Sequence, residues 1–263
     1  MPSLKWLPRA IMYEYNADFY RYITRGSRDS ARAVVPRVLA ALKVPVTTVL
    51  DAGCGSGAWL SVWKEQGCQV TGIDGDYVDR SLLLIDEAEF TPRDLKTRFD
   101  LPVRYDLAQS LEVAEHLPES AAGGFVDSLC KAADIVLFSA AAPGQGGENH
   151  VNEQPYAYWQ AHFERNGYAM YDAVRDGVLD DTNVMPWYRY NTFLYVKRSA
   201  HAEVHTALAE CRIEAGHKPA DKSPALYQLR KLCIRAMPVS LRTQIAVVKK
   251  KLQVALQRPA RPA

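Results

Sequence analysis

The chain has 263 residues, of which 48% are hydrophobic, and a formal net charge of +2 at pH 7. This length suffices for one main domain with an extension, and the hydrophobic fraction is typical of a soluble globular protein. No run of 18 uncharged apolar residues occurs, the first residues lack the apolar core of a secretory signal, and the five cysteines form no C-x-x-C pair. These features argue against a membrane span and a disulfide framework, and they favour a cytoplasmic location.

Residues 1–45 predict a helical cap in front of the first strand. A helix is expected from about residue 30 to residue 42, and Pro45 separates it from the strand. The stretch before this helix is rich in aromatic residues, namely Tyr13, Tyr15, Phe19, Tyr20 and Tyr22. We expect most of these rings to pack against the sheet edge rather than to contact a ligand.

The first predicted strand ends in an acid and breaks into three alternating glycines. The acid is Asp51, the glycines are Gly53, Gly55 and Gly57, and an apolar helix follows from Ala58. A strand, a glycine turn and a helix form the ligand-binding corner of a doubly wound α/β sheet. The glycines match a dinucleotide turn closed by an alanine, or a D-x-G-x-G-x-G turn. The acid favours the second interpretation, because it would attract an amino acid ammonium group and repel a pyrophosphate.

The next two predicted strands also lead to acids. The strand at 69–74 ends in Asp74, 23 residues after Asp51, where a carboxylate can accept the ribose hydroxyls of an adenosine. Both interpretations of the glycine turn predict this acid. A short strand within 88–95 leads to Asp94, which is either a ligand contact or an acid in a surface turn.

Several segments together resemble class I S-adenosylmethionine-dependent methyltransferases. They are residues 26–27, 30–31, 51–57, 72–77, 104–117, 131–140 and 149–154. The resemblance runs from about residue 13 to residue 197 and includes a bacterial family often found in glycan-modification pathways. It implies methyl transfer with S-adenosylmethionine as the cofactor, on a fold that serves many acceptors.

The resemblance also implies an architecture and a set of cofactor contacts. The fold would be Rossmann-like, with a doubly wound, mostly parallel, seven-stranded sheet at 46–198. The last strand would insert antiparallel beside the fifth, so the segments 168–174 and 191–197 are expected to form a hairpin. The implied cofactor-binding residues are Asp51, Gly53, Gly55, Gly57, Asp74, Gly75, Asp94, Leu95 and Ser110.

A cluster of acids and histidines is the candidate catalytic element. Glu112, Glu115 and His116 have the spacing i, i+3 and i+4, and we expect them on one face at the start of a helix after the fourth strand. His150 follows the fifth strand, whose carboxyl end opens on the same crevice. These four side chains could ligate a divalent cation such as Mg²⁺, with His150 and His116 as the candidate catalytic residues. The acids could instead complement the helix dipole without any metal.

The E-x-x-E-H element in this cluster resembles that of metal-dependent methyltransferases of the ubiquinone-biosynthesis and small-RNA 2′-hydroxyl families. The predicted function is therefore O-methylation of a hydroxyl on a sugar, a glycan or another small molecule. Two alternatives remain, an NAD-type oxidoreductase and a non-catalytic scaffold that binds the cofactor. No recognised module predicts binding of a specific nucleic acid.

Three further features bear on the acceptor. Residues 144–149 predict a flexible gate for it. Asn152 and Glu153 either shape the acceptor pocket or cap the following helix. Residues 187–191 carry aromatic rings that could stack on an acceptor or pack over the predicted hairpin.

Residues 199–263 predict a basic helical extension. Ten of the 32 basic residues follow Asp221 and no acidic residue does, so the preceding part has 22 basic and 30 acidic residues, a net charge of −8. Residues 240–257 have apolar side chains at helical spacing and basic side chains on the other face. This pattern predicts peripheral contact with an anionic membrane or, equally, a helix packed on its own domain or on a second subunit.

Overall fold

The computed structural model describes residues 17–238, 241 and 243–248, with only the backbone described for 17–23. A central sheet of eight strands carries helices on both faces. The strands are β1 (Thr48–Ala52), β2 (Gln69–Asp74), β3 (Phe90–Pro92), β4 (Leu107–Leu111), β5 (Ile135–Ser139), β6 (Tyr168–Tyr171), β7 (Phe193–Lys197) and β8 (Arg212–Ile213). The helices are α1 (Ala17–Leu42), α2 (Ala58–Glu65), α3 (Glu119–Ala132), α4 (Tyr156–Arg165), α5 (Pro186–Asn191), α6 (Ala202–Ala207) and α7 (Ala225–Arg235).

The strand order is β3-β2-β1-β4-β5-β7-β6-β8. The first five strands pair in parallel, and β7 runs antiparallel between β5 and β6, with Phe138 opposite Phe193 and Ile135 opposite Val196. The predicted reversed strand beside the fifth is therefore confirmed. Every residue of β4 and β5 is buried; β5 is a nearly continuous apolar run, whereas β4 contains Gln109 and Ser110.

The sheet has one strand more than the seven predicted. The two residues of β8 pair antiparallel with β6, so the sheet continues beyond residue 198. Helix α1 is also longer than the predicted helix, which began near residue 30. Tyr13 and Tyr15 lie outside the described residues, as do the side chains of the other aromatic residues up to Tyr22.

Two apolar layers, one on each face of the sheet, hold the fold together. On one face, α1 and α2 bury side chains such as Val38 and Trp63. On the other, α3 and α4 bury Phe125 and Phe163, and Phe163 stacks on Tyr195 of β7 with 3.8 Å between ring centroids. Helix α4 ends at Arg165, and Gly167, two residues later, has a φ of +81°, as is common just after a helix.

The carboxyl ends of β1, β2, β4 and β5 face one edge of the sheet, where open α/β folds bind their ligands. The candidate site residues lie at the carboxyl ends of β1, β2 and β4 or in the loops that follow the first five strands. Beyond α7, residues 241 and 243–248 are helical, and the rest of the helix predicted at 240–257 lies outside the described residues. Among the described residues, no helix combines the length and the apolar character that crossing a membrane requires.

Candidate active site

The turn between β1 and α2 requires glycine at specific points. Gly53 has a φ of +93°, and a Cβ there would lie 2.3 Å from a methyl carbon of Val113. Gly55 has a φ of +52°, but a Cβ there would meet nothing within 4 Å, so this side of the turn is open. The Gly55 N–H donates to Asp74 Oδ2 at 2.7 Å, which ties the turn to the end of β2. The turn therefore leaves room for a ligand against its backbone.

Asp51 is a buried carboxylate at the base of this turn. It is 3% exposed, and the side-chain amide of Gln109 donates to its Oδ2 at 2.8 Å. Gln109 in turn accepts from the indole N–H of Trp63 at 2.8 Å, so its orientation is fixed. Burial raises the pKa of Asp51 to about 7, the hydrogen bond from Gln109 offsets part of this shift, and the charge of Asp74 adds to it. A cationic group next to Asp51 would stabilise the ionised form.

Asp74 lies across the turn from Asp51 and is also buried. Its Oδ1 accepts from the Gly75 N–H and from the Tyr77 hydroxyl, each at 2.6 Å. The ring of Tyr77 covers Gly75 so closely that a Cβ there would lie 2.0 Å from it. The Asp74 carboxylate thus already accepts a hydroxyl group, which is the interaction expected with a ribose.

The remaining predicted cofactor residues have different surroundings. Asp94 is exposed, and its Oδ1 accepts the Lys96 N–H at 3.0 Å, whereas Leu95 is buried. Ser110 is fully buried and donates to the Ala52 carbonyl at 2.8 Å, so its hydroxyl links β4 to β1. A buried acid, a second acid bonded to a hydroxyl and an open glycine turn are suited to an adenosine ligand with an ammonium group.

Glu112, Glu115 and His116 do not share the start of one α-helix, so this prediction was wrong. Strand β4 ends at Leu111, a short 3₁₀ turn covers Ala114–His116, and α3 begins only at Glu119. The reason is Pro118, because a proline drives the preceding residue out of the helical region; Leu117 has a ψ of 143°. Glu112 itself has a φ of +58°, a conformation that non-glycine residues seldom adopt.

Glu112 is engaged by two side-chain amides. Its Oε2 accepts from Gln145 at 2.6 Å, and its Oε1 accepts from Asn191 at 3.2 Å. Asn191 also donates to Gln145 Oε1 at 2.6 Å and accepts from the Tyr156 hydroxyl at 2.9 Å. Burial raises the pKa of Glu112, and the amide hydrogen bonds oppose this shift.

The structure brings Glu115, His116 and His150 together instead. One ligand atom from each lies within 4.8 Å of the others, and the two imidazole rings meet edge to face with centroids 4.8 Å apart. Glu115 is fully buried, yet neither of its carboxylate oxygens has a hydrogen-bond partner. Burial and the nearby Glu112 charge raise the pKa of Glu115 well above its usual value. An unpartnered buried carboxylate requires either a proton or a cation.

The two histidines of this group differ in their surroundings. His150 Nδ1 lies 2.9 Å from Glu153 Oε1, and its Nε2 lies beside Gly147, where a Cβ would be 2.1 Å away. Burial alone would raise the pKa of Glu153, but hydrogen bonds from His150 and from the N–H groups of Gly144 and Gly146 lower it. His116 borders the crevice; the surrounding protein and His150 lower its pKa to about 4, so it is neutral at pH 7.

Sequence reasoning missed the roles of three residues, which are Gln109, Gln145 and Asn191, and for Glu153 it left open a pocket role or a helix cap. Glu153 does not cap α4, whose N-cap residue is Pro155 with no side-chain hydrogen bond. The loop at 144–149 was expected to be a flexible gate, but Glu153 binds two of its backbone N–H groups and Gln145 binds Glu112. The one signal in the sequence was a pair of polar residues, Gln109 and Ser110, inside a predicted buried strand.

The fold and the glycine–acid corner define a class I S-adenosylmethionine-dependent methyltransferase. Residues 22–173, more than half of the chain, match the family described as "Methyltransferase domain", and the chain belongs to this family. No curated protein matches the sequence. The family does not favour the oxidoreductase alternative, and S-adenosylmethionine is the cofactor that the family and the fold support.

Solved structures with this fold include methyltransferases with different substrates. Magnesium protoporphyrin IX methyltransferase from Synechocystis PCC 6803, with bound S-adenosylmethionine, is 20% identical with a TM-score of 0.51 over 70% of this chain and 86% of that one. The sugar N-methyltransferase KedS8 from Streptoalloteichus sp ATCC 53650 is 13% identical with a TM-score of 0.52 over 75% and 100%. DesVI from Streptomyces venezuelae is 15% identical with a TM-score of 0.50 over 70% and 100%. At these identities the likeness extends to the fold alone.

Proposed function

We propose that this protein transfers the methyl group of S-adenosylmethionine to a hydroxyl of a sugar, a glycan or another small molecule. The observation that carries this proposal is the buried, unpartnered carboxylate of Glu115 beside two imidazoles, next to the cofactor corner. A hydroxyl is a poor nucleophile until its proton is removed, so an acceptor of this kind needs a base or a cation close by. The sugar methyltransferase among the structures with this fold supports including sugars among the acceptors.

In the cofactor half of the site, two acids would bind different parts of S-adenosylmethionine. Asp51 would bind the ammonium group of the methionine portion, because that group relieves the cost of its buried charge. Asp74 would accept the ribose hydroxyls, with Tyr77 moving off its Oδ1. Asp94 and Leu95 would border the adenine. Bound in this way, the cofactor would present its electrophilic methyl group to the acceptor half of the site.

We call Glu112, Glu115, His116 and His150 the acceptor half of the site. Three of these residues are suited to a divalent cation. Glu115 would supply a carboxylate oxygen, and His116 and His150 would each supply an imidazole nitrogen. Several first-row metals bind this combination of ligands, whereas Mg²⁺ would bind mainly through the carboxylate oxygen. A bound cation would lower the pKa of the acceptor hydroxyl. We place Glu112, the fourth predicted ligand, outside this set, because its oxygens are engaged by Gln145 and Asn191.

We propose that His150 receives the proton of the acceptor hydroxyl when no cation is bound to its ring. Its Nδ1 faces Glu153, so a neutral ring with its proton on Nδ1 leaves the lone pair on Nε2 free to accept. The carboxylate of Glu153 would stabilise the imidazolium that forms. The acceptor oxygen would then attack the methyl group in line with the departing sulfur.

Titration calorimetry with Mn²⁺ tests the cation, with Glu115→Gln as the variant and Glu119→Gln, an exposed acid at the start of α3, as the matched control. We expect binding to the wild type and to Glu119→Gln, and binding at least about tenfold weaker in Glu115→Gln. Equal binding by all three proteins, or binding by none, would exclude the cation site.

Methyl transfer is tested by following S-adenosylhomocysteine formation with a panel of sugars and other hydroxyl compounds. We expect turnover with at least one acceptor and its loss in His150→Ala. Wild-type turnover in His150→Ala would remove His150 from the mechanism. Tight cofactor binding with no transfer to any acceptor would favour the scaffold alternative.

We also place the acceptor at a membrane surface. The part of the chain after Asp221 carries ten basic residues and no acidic one, which favours contact with anionic headgroups. The described residues near the end, Leu241, Ile245 and Val248, are exposed apolar side chains with helical spacing.

A further inference from the structure

The outer face of α7 is an exposed apolar surface. Leu226, Leu229 and Leu232 are 82%, 57% and 64% exposed. With about 100° of rotation per residue, these three side chains span about 120° of the helix circumference. A single exposed leucine is ordinary, but three on one helix face mark a surface that is covered by something else. We call these three residues the leucine face.

The leucine face is not what holds α7 to the domain. The opposite face of the helix makes those contacts through Tyr227, Lys231 and Ile234. The Tyr227 ring lies 5.4 Å from that of Tyr190, and the Lys231 ammonium pairs with Asp221. By helical geometry the centres of the two faces lie about 170° apart. The leucines therefore point away from the domain that anchors the helix.

The charges beside the leucine face select the kind of surface that covers it. Arg235 borders the leucine face on one side, whereas Arg230 on the other side is turned inward to Gln145, and the chain has no acidic residue after Asp221. A symmetric contact between two copies of α7 would oppose like charges, which disfavours a second copy. A surface that is negative outside and apolar inside matches both the leucines and this basic charge. We infer that α7 is an interfacial helix that docks on an anionic membrane and thereby holds the loop at residues 144–149 more rigidly.

Direct contacts join the inner side of α7 to the loop at residues 144–149, which we call the acceptor loop. Arg230 Nη1 donates to the Gln145 carbonyl at 3.0 Å. Gly144 lies so close to the helix that a Cβ there would be 2.0 Å from the Lys231 carbonyl oxygen. Gln145 is also the residue that binds Glu112, so the contacts run from α7 to the acceptor half of the site.

For the acceptor this inference rests on the proposed function. A docked α7 would place the acceptor half of the site near the headgroup layer. The substrate class is therefore a hydroxyl carried by a membrane-anchored molecule and presented at the membrane surface. Docking itself requires neither the cofactor nor a cation, so it can be tested separately from methyl transfer.

Vesicle flotation of the full chain tests the docking. The vesicles are phosphatidylcholine alone or phosphatidylcholine with phosphatidylglycerol. The variant is Leu229→Glu, and the matched control is Val103→Glu, which changes a residue of the same exposure, 56%, in the loop before β4. We expect the wild type and Val103→Glu to float with the anionic vesicles only, and Leu229→Glu to partition about tenfold less or weaker still.

Three results would overturn the docking. They are no flotation of the wild type, equal loss in both variants, and a wild-type dimer that Leu229→Glu dissociates while neither protein floats. The last result would show that a second copy covers the leucine face.

Amide hydrogen exchange tests the coupling to the acceptor loop. We expect anionic vesicles to slow exchange at Gly144 and Gly146 in the wild type and in Val103→Glu, but not in Leu229→Glu. Flotation without slowed exchange would disprove the coupling and leave only the docking. Failure of methyl transfer together with normal flotation would count against the proposed function and not against the docking.

Discussion

The pH dependence of cofactor affinity is the sharpest test of the Asp51 site. Burial raises the pKa of this carboxyl group to about 7, compared with about 3.9 for an unperturbed aspartate. Below pH 7 the cofactor-free protein therefore holds Asp51 mainly in its neutral form. The ammonium group of the cofactor favours the carboxylate, so binding must release the proton.

The size and sign of the effect follow from this proton release. Each pH unit below the pKa weakens binding about tenfold, or about 1.4 kcal/mol. Between pH 8 and pH 5 we expect the Kd of S-adenosylhomocysteine to rise about a hundredfold, with a plateau above pH 7. An aspartate with an ordinary pKa would change the Kd by less than about twofold over the same range. The pKa of His116, about 4, lies below this window.

Titration calorimetry of the wild type and of Asp51→Asn from pH 5 to pH 8 measures the effect. The variant cannot ionise, so we expect it to bind weakly and with no pH dependence in this range. The raised pKa makes ionisation of Asp51 unfavourable in the folded protein. The cofactor-free protein should therefore lose stability as the pH rises from about 4 to about 7. Thermal unfolding should therefore show a smaller loss over that range in Asp51→Asn. A constant wild-type Kd, or the same slope in both proteins, would refute the reasoning.

Three other substitutions have defined outcomes. Arg175→Met removes a fully buried guanidinium that binds Asp172 and the carbonyls of Tyr190 and Ala220, while Lys222 still pairs with Asp172, so denaturant unfolding should show a loss of about 1–3 kcal/mol; no loss of stability would contradict this. Gly144→Ala should force α7 away from its loop and make the carboxyl-terminal segment easier to cleave with protease, and unchanged cleavage would mean that the contact is not rigid. Glu153→Gln should weaken Mn²⁺ binding about tenfold or more, because Glu153 orients His150 without being a ligand itself. The melting temperature should change little. Unchanged Mn²⁺ affinity would leave Glu153 only a structural role.

The parts of the fold that could be predicted are those with strong local signals. The glycine turn with Asp51 marks the β1–α2 corner, because only a few backbone geometries accept glycine at alternating positions. The apolar run of β5 indicates a strand buried on both faces. The reversed hairpin of β6 and β7 followed from the family resemblance, because apolar strand patterns do not reveal direction.

Other elements lacked a readable signal, or their signal was overlooked. Strand β8 has only two residues, Arg212 and Ile213, which is too short for any periodicity. The helix expected to carry Glu112 and Glu115 was wrong because Pro118 blocks it, and the proline was visible in the sequence. The amide contacts of Gln145 join positions 33 and 46 residues away, and no local pattern encodes contacts at such separations.

The unexpected turn after β4 brings Glu112 and Glu115 into the acceptor half of the site. Glu112 adopts its left-handed conformation while its N–H donates to the Ser139 carbonyl at 3.0 Å, so the next strand holds the turn in place. Such a conformation costs of the order of 1–3 kcal/mol and persists only where its surroundings enforce it. The chain then enters a 3₁₀ turn that buries Glu115 beside His150, with no hydrogen bond to its carboxylate. Strain and an unpartnered buried acid within four residues are unfavourable for stability alone, and this is the arrangement expected where a fold keeps a site ready for a ligand.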